Sequence, residues 1–420
     1  MRKTYFLLAC LLACLLALGV KKTCAQVWQE IPPVVCHGIE EDAFTSLRSD
    51  FDLKNVRLTA TSRFIITYED VPSQAQTAFK YATDIWSNLL VSSIPIRIHV
   101  MYKSLASTTL ASSGATRIYR DFNNAPYPSV WYPVALAEAI NGKELNDEAI
   151  DINISINSTI RWSYQTDGRT SSGAYDFVTV ILHEIAHGLG FVSSFGVTDS
   201  NIQGKWGQAD LPLIFDLFVQ NLANQNLQDT RIFGNPSSDL LAQLTSTQLK
   251  FDLPGQRSSL TPRLFAPRTY TAGNSISHLD ESIYPQGNVN SLMTPNIRSA
   301  EVIHQPGDLT KRILNQLGWP IVDLQNGVIT SNPEKEKNQP IIYPNPVIGT
   351  DITIFFPREW ISKEVDILWI SVDGKIHKHE TILVKEGKTQ VKTPEFSNGI
   401  YLLQLTEGSQ QIQKRIYFNR

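Results

Sequence analysis

The apolar and polar positions follow two different rhythms along most of the chain. Between Gln74 and Leu90, apolar residues recur at the three- and four-residue spacing that places them on one face of a helix. Leu309 to Trp319 has the same spacing and predicts a second helix. Ile94 to Tyr102 and Ile150 to Ile156 instead carry an apolar residue at every second position, which is typical of half-buried strands. Together with the strand character of Arg63 to Tyr68, these elements predict a domain that mixes helices and strands.

Beyond Pro340 the pattern changes to short apolar runs that are separated by turn signals. The turn signals are polar residues followed by glycine, at Asp373-Gly374, Glu386-Gly387, Asn398-Gly399 and Glu407-Gly408. The runs predicted as strands are Asp351 to Phe356, Val365 to Val372, Thr381 to Val384, Ile400 to Leu405 and Ile412 to Phe418. Short strands in such a series predict a small all-β sandwich.

These patterns divide the chain into an α+β domain over residues 61–325 and a β-sandwich over residues 341–420. Residues 326–340 between them are polar and charged and are predicted to be a linker. Residues 26–60 are interpreted as a pro-region or an N-terminal arm. The predicted fold class is therefore α+β, followed by a small all-β domain.

The composition supports a folded protein and gives no support to two classes of partner. Hydrophobic residues make up 42% of the 420 residues and charged residues 18%, which is typical of a globular protein. The formal net charge is -3, so the sequence gives no electrostatic reason to expect nucleic acid or an anionic membrane as a partner. No internal repeat or low-complexity run is present.

The N-terminus predicts export. Arg2 and Lys3 precede an apolar run from Tyr5 to Val20, and small residues lead up to Ala25. This order is typical of a secretory signal peptide over residues 1–25. A membrane anchor is the alternative, but the run is shorter than the roughly 20 apolar residues that a spanning helix needs.

The cysteines agree with a secreted chain that has no disulfide framework. Three of the four lie inside the predicted signal, at Cys10, Cys14 and Cys24. The sequence Leu11-Leu12-Ala13-Cys14 leaves a lipoprotein signal open as a second interpretation, although the apolar run continues past Cys14. The mature chain would keep Cys36 alone, so its stability must come from core burial and bound metal.

The strongest chemical signal is a pair of histidines on a predicted helix within Asp176 to Phe191. His183 and His187 are four residues apart, so they project from one side of a helix and can bind one zinc ion. Glu184 follows the first histidine and can act as a general base toward a water at that ion. Gly190 allows the helix to end and the chain to turn.

A catalytic zinc ion needs a third protein ligand and an open position. The histidines outside the pair are His37, His99, His278, His304, His377 and His379. Four of these are set aside, because His37 lies in the presumed pro-region, His99 in an apolar strand, and His377 and His379 in the C-terminal sandwich. His278 is the preferred third ligand. His304 is the reserve, and Asp280 or Glu281 is the carboxylate alternative.

The segment His183-Glu184-Ile185-Ala186-His187-Gly188-Leu189-Gly190 resembles the metzincin peptidases. In that pattern a third histidine follows the glycine by three residues, and here this position is Ser193, a poor zinc ligand. A distant His278 followed by Met293 in Ser291-Leu292-Met293-Thr294-Pro295 resembles the leishmanolysin-type branch. The resemblance implies a metzincin-like domain, built of a twisted sheet and an active-site helix.

The same resemblance implies that Met293 forms a turn beneath the zinc histidines and packs there without binding the metal. It also implies that an insertion, here residues 188–277, separates the second ligand from the third. The implied function is a secreted endopeptidase that hydrolyses peptide bonds with a zinc-activated water and Glu184 as general base. The strand at Ile150 to Ile156 is placed to pair with an extended substrate.

Cys36 raises a further expectation through the resemblance. Metzincin precursors often place a thiolate of the pro-region on the zinc ion, so Cys36 can act as a zymogen switch. A small buried side chain is the other interpretation of the same residue. Calcium is compatible with a secreted metzincin, but no acidic loop in the sequence indicates a calcium site.

The C-terminal segment resembles the type A sorting domain of type IX secretion. The residues that carry this resemblance are Tyr343-Pro344-Asn345-Pro346, Asp373-Gly374-Lys375, Asn398-Gly399-Ile400-Tyr401 and Lys414-Arg415-Ile416. It implies export by the Sec pathway, passage across an outer membrane, and the type IX secretion machinery as a partner of residues 341–420. An ordinary β-sandwich for adhesion or carbohydrate binding is the alternative.

Two other functions stay open at this point. One is a non-catalytic surface protein or adhesin with a metzincin-like fold, although Glu184 beside both histidines argues against it because metal binding alone does not need that carboxylate. The other is a zinc hydrolase that acts on a substrate other than a peptide. The sequence identifies neither the specificity pocket nor the oligomeric state.

Overall fold

The computed structural model describes residues 27–48, 61–253, 261–323, 328–329, 340–343, 347, 350–371, 374–385, 387–397 and 399–418. The predicted signal peptide lies outside the described residues, as does most of the predicted linker.

The described residues contain five α-helices, three 3₁₀ turns and a series of short and long strands. The helices are α1 (Ser73–Leu89), α2 (Val134–Asn141), α3 (Phe177–Gly188), α4 (Ser238–Leu244) and α5 (Gly307–Leu317). The strands up to the linker are β1 (Val27–Gln29), β2 (Val34–Leu47), β3 (Phe64–Glu69), β4 (Ile96–Lys103), β5 (Thr109–Ala115), β6 (Ile118–Arg120), β7 (Tyr132–Pro133), β8 (Ile152–Asn157), β9 (Trp162–Ser163), β10 (Tyr175–Asp176), β11 (Gly196–Val197), β12 (Gly204–Lys205), β13 (Val219–Asn221), β14 (Leu249–Phe251), β15 (Arg263–Leu264), β16 (Asn296–Ile303) and β17 (Val322–Asp323). The remaining strands are β18 (Val328–Ile329), β19 (Ile341–Tyr343), β20 (Asp351–Phe355), β21 (Glu364–Ser371), β22 (Ile376–Leu383), β23 (Lys388–Lys392), β24 (Gly399–Glu407) and β25 (Gln410–Phe418). The 3₁₀ turns are Ile214–Phe218, Ser291–Met293 and Arg358–Trp360.

The main sheet has six strands in the order β16-β2-β5-β8-β4-β3. β3, β4 and β8 are parallel to one another, and β5 is antiparallel to β8. β2 is antiparallel to β5 and parallel to β16. The fold is therefore a mixed α+β fold, as the periodicity predicts.

The structure confirms the helices and strands that the sequence predicts, with boundaries shifted by at most three residues, except that the strand predicted from Thr381 begins five residues earlier, at Ile376. It corrects one functional interpretation of them. The strand at Ile150 to Ile156 is β8, which lies between β4 and β5 and has no free edge for a substrate. The strand that separates β8 from the N-terminal strand β2 is β5, which the alternation did not single out.

Helix α3 is held tightly against the sheet and forms the centre of the domain. All of its residues are buried. Gly188 at its end lies against Ile152 of β8, where an added Cβ would come within 2.4 Å of the isoleucine Cγ2. On the side of α1, the Trp86 indole donates a hydrogen bond to the Leu182 carbonyl oxygen at 3.2 Å. These contacts fix the height and the rotation of α3 over the sheet.

The segment between residues 188 and 277, predicted as an insertion, folds into small elements of its own. β13, β14 and β15 form an antiparallel sheet, and β11 pairs with β12. Apolar residues of this segment, including Phe215, Leu227 and Phe251, belong to the same buried cluster as α1 and α3. The segment is therefore part of the same core.

The C-terminal residues form two antiparallel sheets around a second buried cluster. One sheet has the order β19-β20-β23 and the other β22-β21-β24-β25. Trp360, Trp369 and Ile354 lie in the core between them. In the part of the chain that the structure describes, no helix is long and apolar enough to span a bilayer.

Candidate metal centre

Helix α3 begins at a buried cap that the sequence did not reveal as such. The Asp176 carboxylate accepts a hydrogen bond from the Thr179 backbone N–H at 2.8 Å. It also accepts one from His304 Nε2 at 2.9 Å, and both side chains of this pair are almost fully buried. His304 is therefore bound to the helix cap, away from the other histidines, and the reserve assignment of His304 as a zinc ligand is wrong in this structure.

Replacing Asp176 with alanine is expected to lower the free energy of unfolding by about 3 kcal/mol, because the helix loses its cap and His304 loses its buried partner. Urea denaturation monitored by circular dichroism measures this change. Asp84→Ala is the matched control, since Asp84 forms an exposed pair with Lys80, and its cost should stay below about 0.5 kcal/mol. Equal costs for the two substitutions would contradict the role of Asp176.

The structure brings His183, His187 and His278 together at the end of α3. Their Nε2 atoms form a triangle with sides of 3.0 Å (His183 to His187), 3.2 Å (His187 to His278) and 3.2 Å (His278 to His183). Tetrahedral zinc ligands at 2.0–2.1 Å are about 3.3 Å apart, so the triangle has nearly the required size. The three histidines also form a group that could hold a metal ion by the distances between their ligand atoms.

Each imidazole is oriented by a backbone carbonyl that faces its Nδ1 atom. The acceptors are the carbonyl oxygens of Leu292 for His183 (2.7 Å), Phe191 for His187 (2.7 Å) and Asn274 for His278 (2.9 Å). A carbonyl oxygen only accepts, so each Nδ1 carries the proton and each neutral ring presents a bare Nε2 lone pair. Metal-bound histidines almost always have this arrangement.

Three lone pairs this close repel one another unless a cation lies between them. A proton is a poor candidate, because burial lowers the pKa of His183 to about 4 and lowers the pKa of His187 and His278 well below the usual value. The neighbouring imidazoles contribute to the lowered pKa of His187 and His278. The donor set therefore fits a divalent cation that prefers nitrogen ligands, such as zinc.

Glu184 lies beside this triangle and is fully buried. Neither carboxylate oxygen has a hydrogen-bond partner among the described residues. Burial raises the pKa of Glu184 well above the usual value. An unpaired buried carboxylate is costly, so its position within 4.8 Å of a ligand atom of His183 indicates that it serves a cation, a water or both.

Gly190 and Met293, the two supporting residues that the sequence indicated, help to position backbone carbonyl groups near the three histidines. Gly190 has a φ of 117°, which turns the chain so that the Phe191 carbonyl returns to His187. Met293 is fully buried in the turn Ser291–Met293. Leu292 in this turn orients His183, and the Met293 carbonyl accepts a hydrogen bond from the backbone N–H of Leu279, next to His278.

Ser193, at the position where the compact metzincin pattern has histidine, points toward a buried aspartate that sequence reasoning missed. Its hydroxyl donates to Asp216 at 2.7 Å, and its backbone N–H donates to the Ser277 hydroxyl at 3.1 Å. Burial raises the pKa of Asp216 to about 6. Ser193 therefore helps to position the segment that carries His278. The sequence held one sign of Asp216 as a buried partner, because this aspartate lies within the otherwise apolar run Ile214 to Phe218.

The carboxylate alternatives for the third ligand lie in other interactions. Asp280 accepts hydrogen bonds from the backbone N–H and the hydroxyl of Ser282, at 3.0 and 2.7 Å. Glu281 pairs with Asn296 and Arg298. In this structure His278 completes the cluster, and these two carboxylates do not.

Cys36 also reaches the cluster. Its Sγ atom and ligand atoms of His183 and Glu184 all lie within 4.8 Å of one another. Cys36 is fully buried, and burial raises the pKa of its thiol, with Glu184 and Glu301 adding to the effect. This position is compatible with a small buried side chain and with a zymogen switch, and the zymogen switch stays a prediction.

Two protein-family models match parts of the chain. The SPBPB7E8-like family matches residues 59–232, which include His183, Glu184 and His187 and end before His278. The secretion system C-terminal sorting domain matches residues 341–419. None of the curated proteins compared with the chain matches it.

The second match confirms the C-terminal sorting domain that the sequence predicts. The chain is exported by type IX secretion, to the cell surface or to the outside of the cell. The machinery of that pathway is a partner of residues 341–419.

Removing the residues from 341 onward is expected to abolish passage across the outer membrane, because the signal read by the machinery is lost. Cell fractionation and immunodetection should then find the truncated chain in the periplasm and almost none outside. A control chain with Glu148→Gln, an exposed position of the first domain, should be exported normally. Normal export of the truncated chain would contradict the assignment.

Proposed function

We propose that the chain is a secreted zinc endopeptidase with a metzincin-like catalytic domain that resembles the leishmanolysin-type branch. The observation that carries the proposal is the convergence of three Nε2 lone pairs, from His183, His187 and His278, beside the unpaired carboxylate of Glu184. This set provides three zinc ligands and one general base, which is the minimum set for water-dependent peptide hydrolysis.

His183, His187 and His278 would hold the zinc ion, which would polarise the peptide carbonyl and lower the pKa of the attacking water. Glu184 accepts the proton of that water on its carboxylate and later returns it to the amine that leaves. The Nδ1 hydrogen bonds of the three histidines hold the rings in one tautomer and one orientation throughout. Burial of the cluster excludes bulk water, which strengthens every electrostatic interaction within it.

The alternative of a non-catalytic surface protein is less well supported by the same geometry. Metal binding requires the histidines only, and an unpaired buried carboxylate reduces stability unless it has a role. A zinc hydrolase of non-peptide substrates has no specific observation in its favour.

The experiment that tests the proposal is the identification of products. An unfolded protein is incubated with the zinc-loaded chain, and the fragments are sequenced by mass spectrometry. New carboxyl and amino termini that are absent after Glu184→Gln would support a peptidase. Intact protein after incubation with a zinc-loaded chain would contradict it.

A further inference from the structure

The sorting domain contacts the first domain, the α+β domain, at three separate points. On the sorting domain these points lie at the start of β20, in the turn Arg358–Trp360 and at Gly387, before β23. The linker residues 332–339 between the two domains are polar or charged apart from one proline. Three points on different strands and turns fix the position and the rotation of a domain, which a flexible polar linker cannot do.

Arg358 is bound by two backbone carbonyl groups of the first domain. Its backbone N–H donates a hydrogen bond to the Pro126 carbonyl oxygen at 2.9 Å. Its guanidinium donates a hydrogen bond to the Phe122 carbonyl oxygen. Hydrogen bonds from an ionised donor are stronger than those between neutral groups, so this arginine holds the turn Arg358–Trp360 against the first domain.

The segment that receives Arg358, residues 121–129, is held in shape by its own domain. The Asp121 carboxylate accepts a hydrogen bond from the Ser129 backbone N–H at 2.8 Å, which joins the two ends of the segment. In its middle, the Tyr127 backbone N–H donates to the Tyr132 hydroxyl at 3.1 Å. Because these bonds lie within the first domain, the segment loses little conformational freedom when the sorting domain binds.

Arg231 makes the second contact, and it is fixed in the same way. Its Nε and Nη2 atoms donate to the two carboxylate oxygens of the buried Asp229, at 2.9 and 3.1 Å. Its Nη1 atom donates to the Asp351 carbonyl oxygen of the sorting domain at 3.0 Å. A guanidinium that is already held by a carboxylate loses little freedom in a further contact, so this donor is oriented by the first domain alone.

Gly387 is the point of tightest packing between the domains. A Cβ added there would come within 1.7 Å of Pro128 Cγ, so the proline ring and the glycine backbone lie directly against each other. A charge interaction lies at a further point. Burial raises the pKa of Asp252, and the ammonium groups of Lys250 and of Lys414 in β25 oppose this shift, so the two domains also bring opposite charges together.

We propose that residues 121–129 and Arg231 form a docking site for the sorting domain, and that the two domains stay bound to each other when the linker between them is cut. Separation then requires two events, the cut and the breaking of the contacts at Arg358, Asp351 and Gly387. The inference is independent of the proposed peptidase function, because none of these contacts includes the histidine cluster or Glu184.

The alternative is a sorting domain that moves freely on its linker. In that case Arg358 and Gly387 would spend most of their time in solvent, and position 387 would meet position 128 no more often than any other exposed turn does. Docking instead keeps the two positions in one geometry and gives them a high effective concentration. The two arrangements therefore differ in two measurable quantities, the affinity between the domains and the proximity of positions 128 and 387.

The first test measures the affinity in the chain 26–420 with a specific protease site inserted within residues 332–339. After the cut, the two pieces should run together on size-exclusion chromatography at about 1 μM, which requires a dissociation constant in or below that range. Arg358→Ala should raise this dissociation constant at least 10-fold, because the bond to Phe122 is lost. Arg312→Ala is the matched control, since it removes an exposed arginine that pairs within α5, and it should leave the constant unchanged.

The second test measures proximity in the uncut chain through a disulfide. A Cβ at position 387 would lie 3.1 Å from Pro128 Cβ, close to the separation of about 3.5–4.5 Å in disulfides, so Pro128→Cys with Gly387→Cys brings two thiols within reach. Pro128→Cys with Gly374→Cys is the matched control, because a Cβ at 374 would meet no atom of the described residues within 4 Å. Cys36 is fully buried in both chains. Disulfide formation with oxidised glutathione is followed by the mobility of the unreduced chain in a denaturing gel.

The 128–387 pair is expected to form its disulfide at least 10-fold faster than the 128–374 pair. Pieces that separate after the cut would overturn the proposal, as would an affinity that Arg358→Ala and Arg312→Ala change equally. Pieces that stay together while the two cysteine pairs react at equal rates would overturn it too, because the domains would then be joined through a different surface.

Discussion

Replacing Glu184 with glutamine is expected to lower kcat for peptide cleavage by about 10³-fold and to leave one zinc ion bound. General acid-base catalysis by a positioned side chain contributes about 10² to 10⁴-fold, and the Glu184 carboxylate lies within 4.8 Å of a ligand atom of His183. Glutamine keeps the size of the side chain but cannot accept a proton. The effect should therefore appear in kcat, with little change in zinc content or in the free energy of unfolding.

The measurement compares kcat of the zinc-loaded chain before and after the substitution, with zinc counted by atomic absorption. Glu148→Gln is the matched control, because Glu148 is exposed and its ion pair is with Arg97, which is not part of the cluster. A Glu184→Gln chain that retains most of its activity would exclude Glu184 as the base. A chain that loses its zinc would show that the carboxylate acts as a ligand.

Replacing His278 with alanine is expected to weaken zinc binding by at least 100-fold and to reduce kcat/KM by about 10³-fold. Two histidines four residues apart on a helix leave the ion with an incomplete set of protein ligands, and a catalytic zinc site uses three. The loss should also raise the sensitivity of the chain to chelators. Competition with a fluorescent zinc indicator measures the affinity directly.

His304→Ala is the matched control for this experiment, because it also removes a buried imidazole. His304 is paired with Asp176 at the start of α3, so its loss should reduce stability while each folded chain still binds zinc. Zinc affinity that falls after His304→Ala and not after His278→Ala would contradict the ligand assignment.

Much of this site was predictable from local sequence. The spacing of His183 and His187 fixes their common side on a helix, and an apolar helix between two strands is buried whatever the rest of the fold does. The role of Gly190 was also predictable from local sequence, because its positive φ is required by the turn that directly follows the helix. The helices and strands with regular periodicity were predicted nearly to their ends.

Contacts between distant segments were less accessible. His278 could be selected only by elimination and by resemblance, because nothing local reveals that Leu292 and Asn274 would orient two imidazoles at one point. The Asp176–His304 pair was missed because it joins residues far apart in the sequence. β2 was missed as a strand because its pattern is irregular. Glu40-Glu41-Asp42 interrupt any alternation of apolar and polar residues, and only distant partners, Gly173 and Ser299, form hydrogen bonds to Asp42 in the folded chain.

The measurement that tests the central claim most directly is a zinc titration of the chelator-stripped chain during cleavage of a quenched fluorescent peptide. The account predicts no cleavage without metal, a linear rise with added zinc, and saturation at one zinc ion per chain. Cleavage by the metal-free chain, or a fully loaded chain that cleaves no peptide, would contradict it.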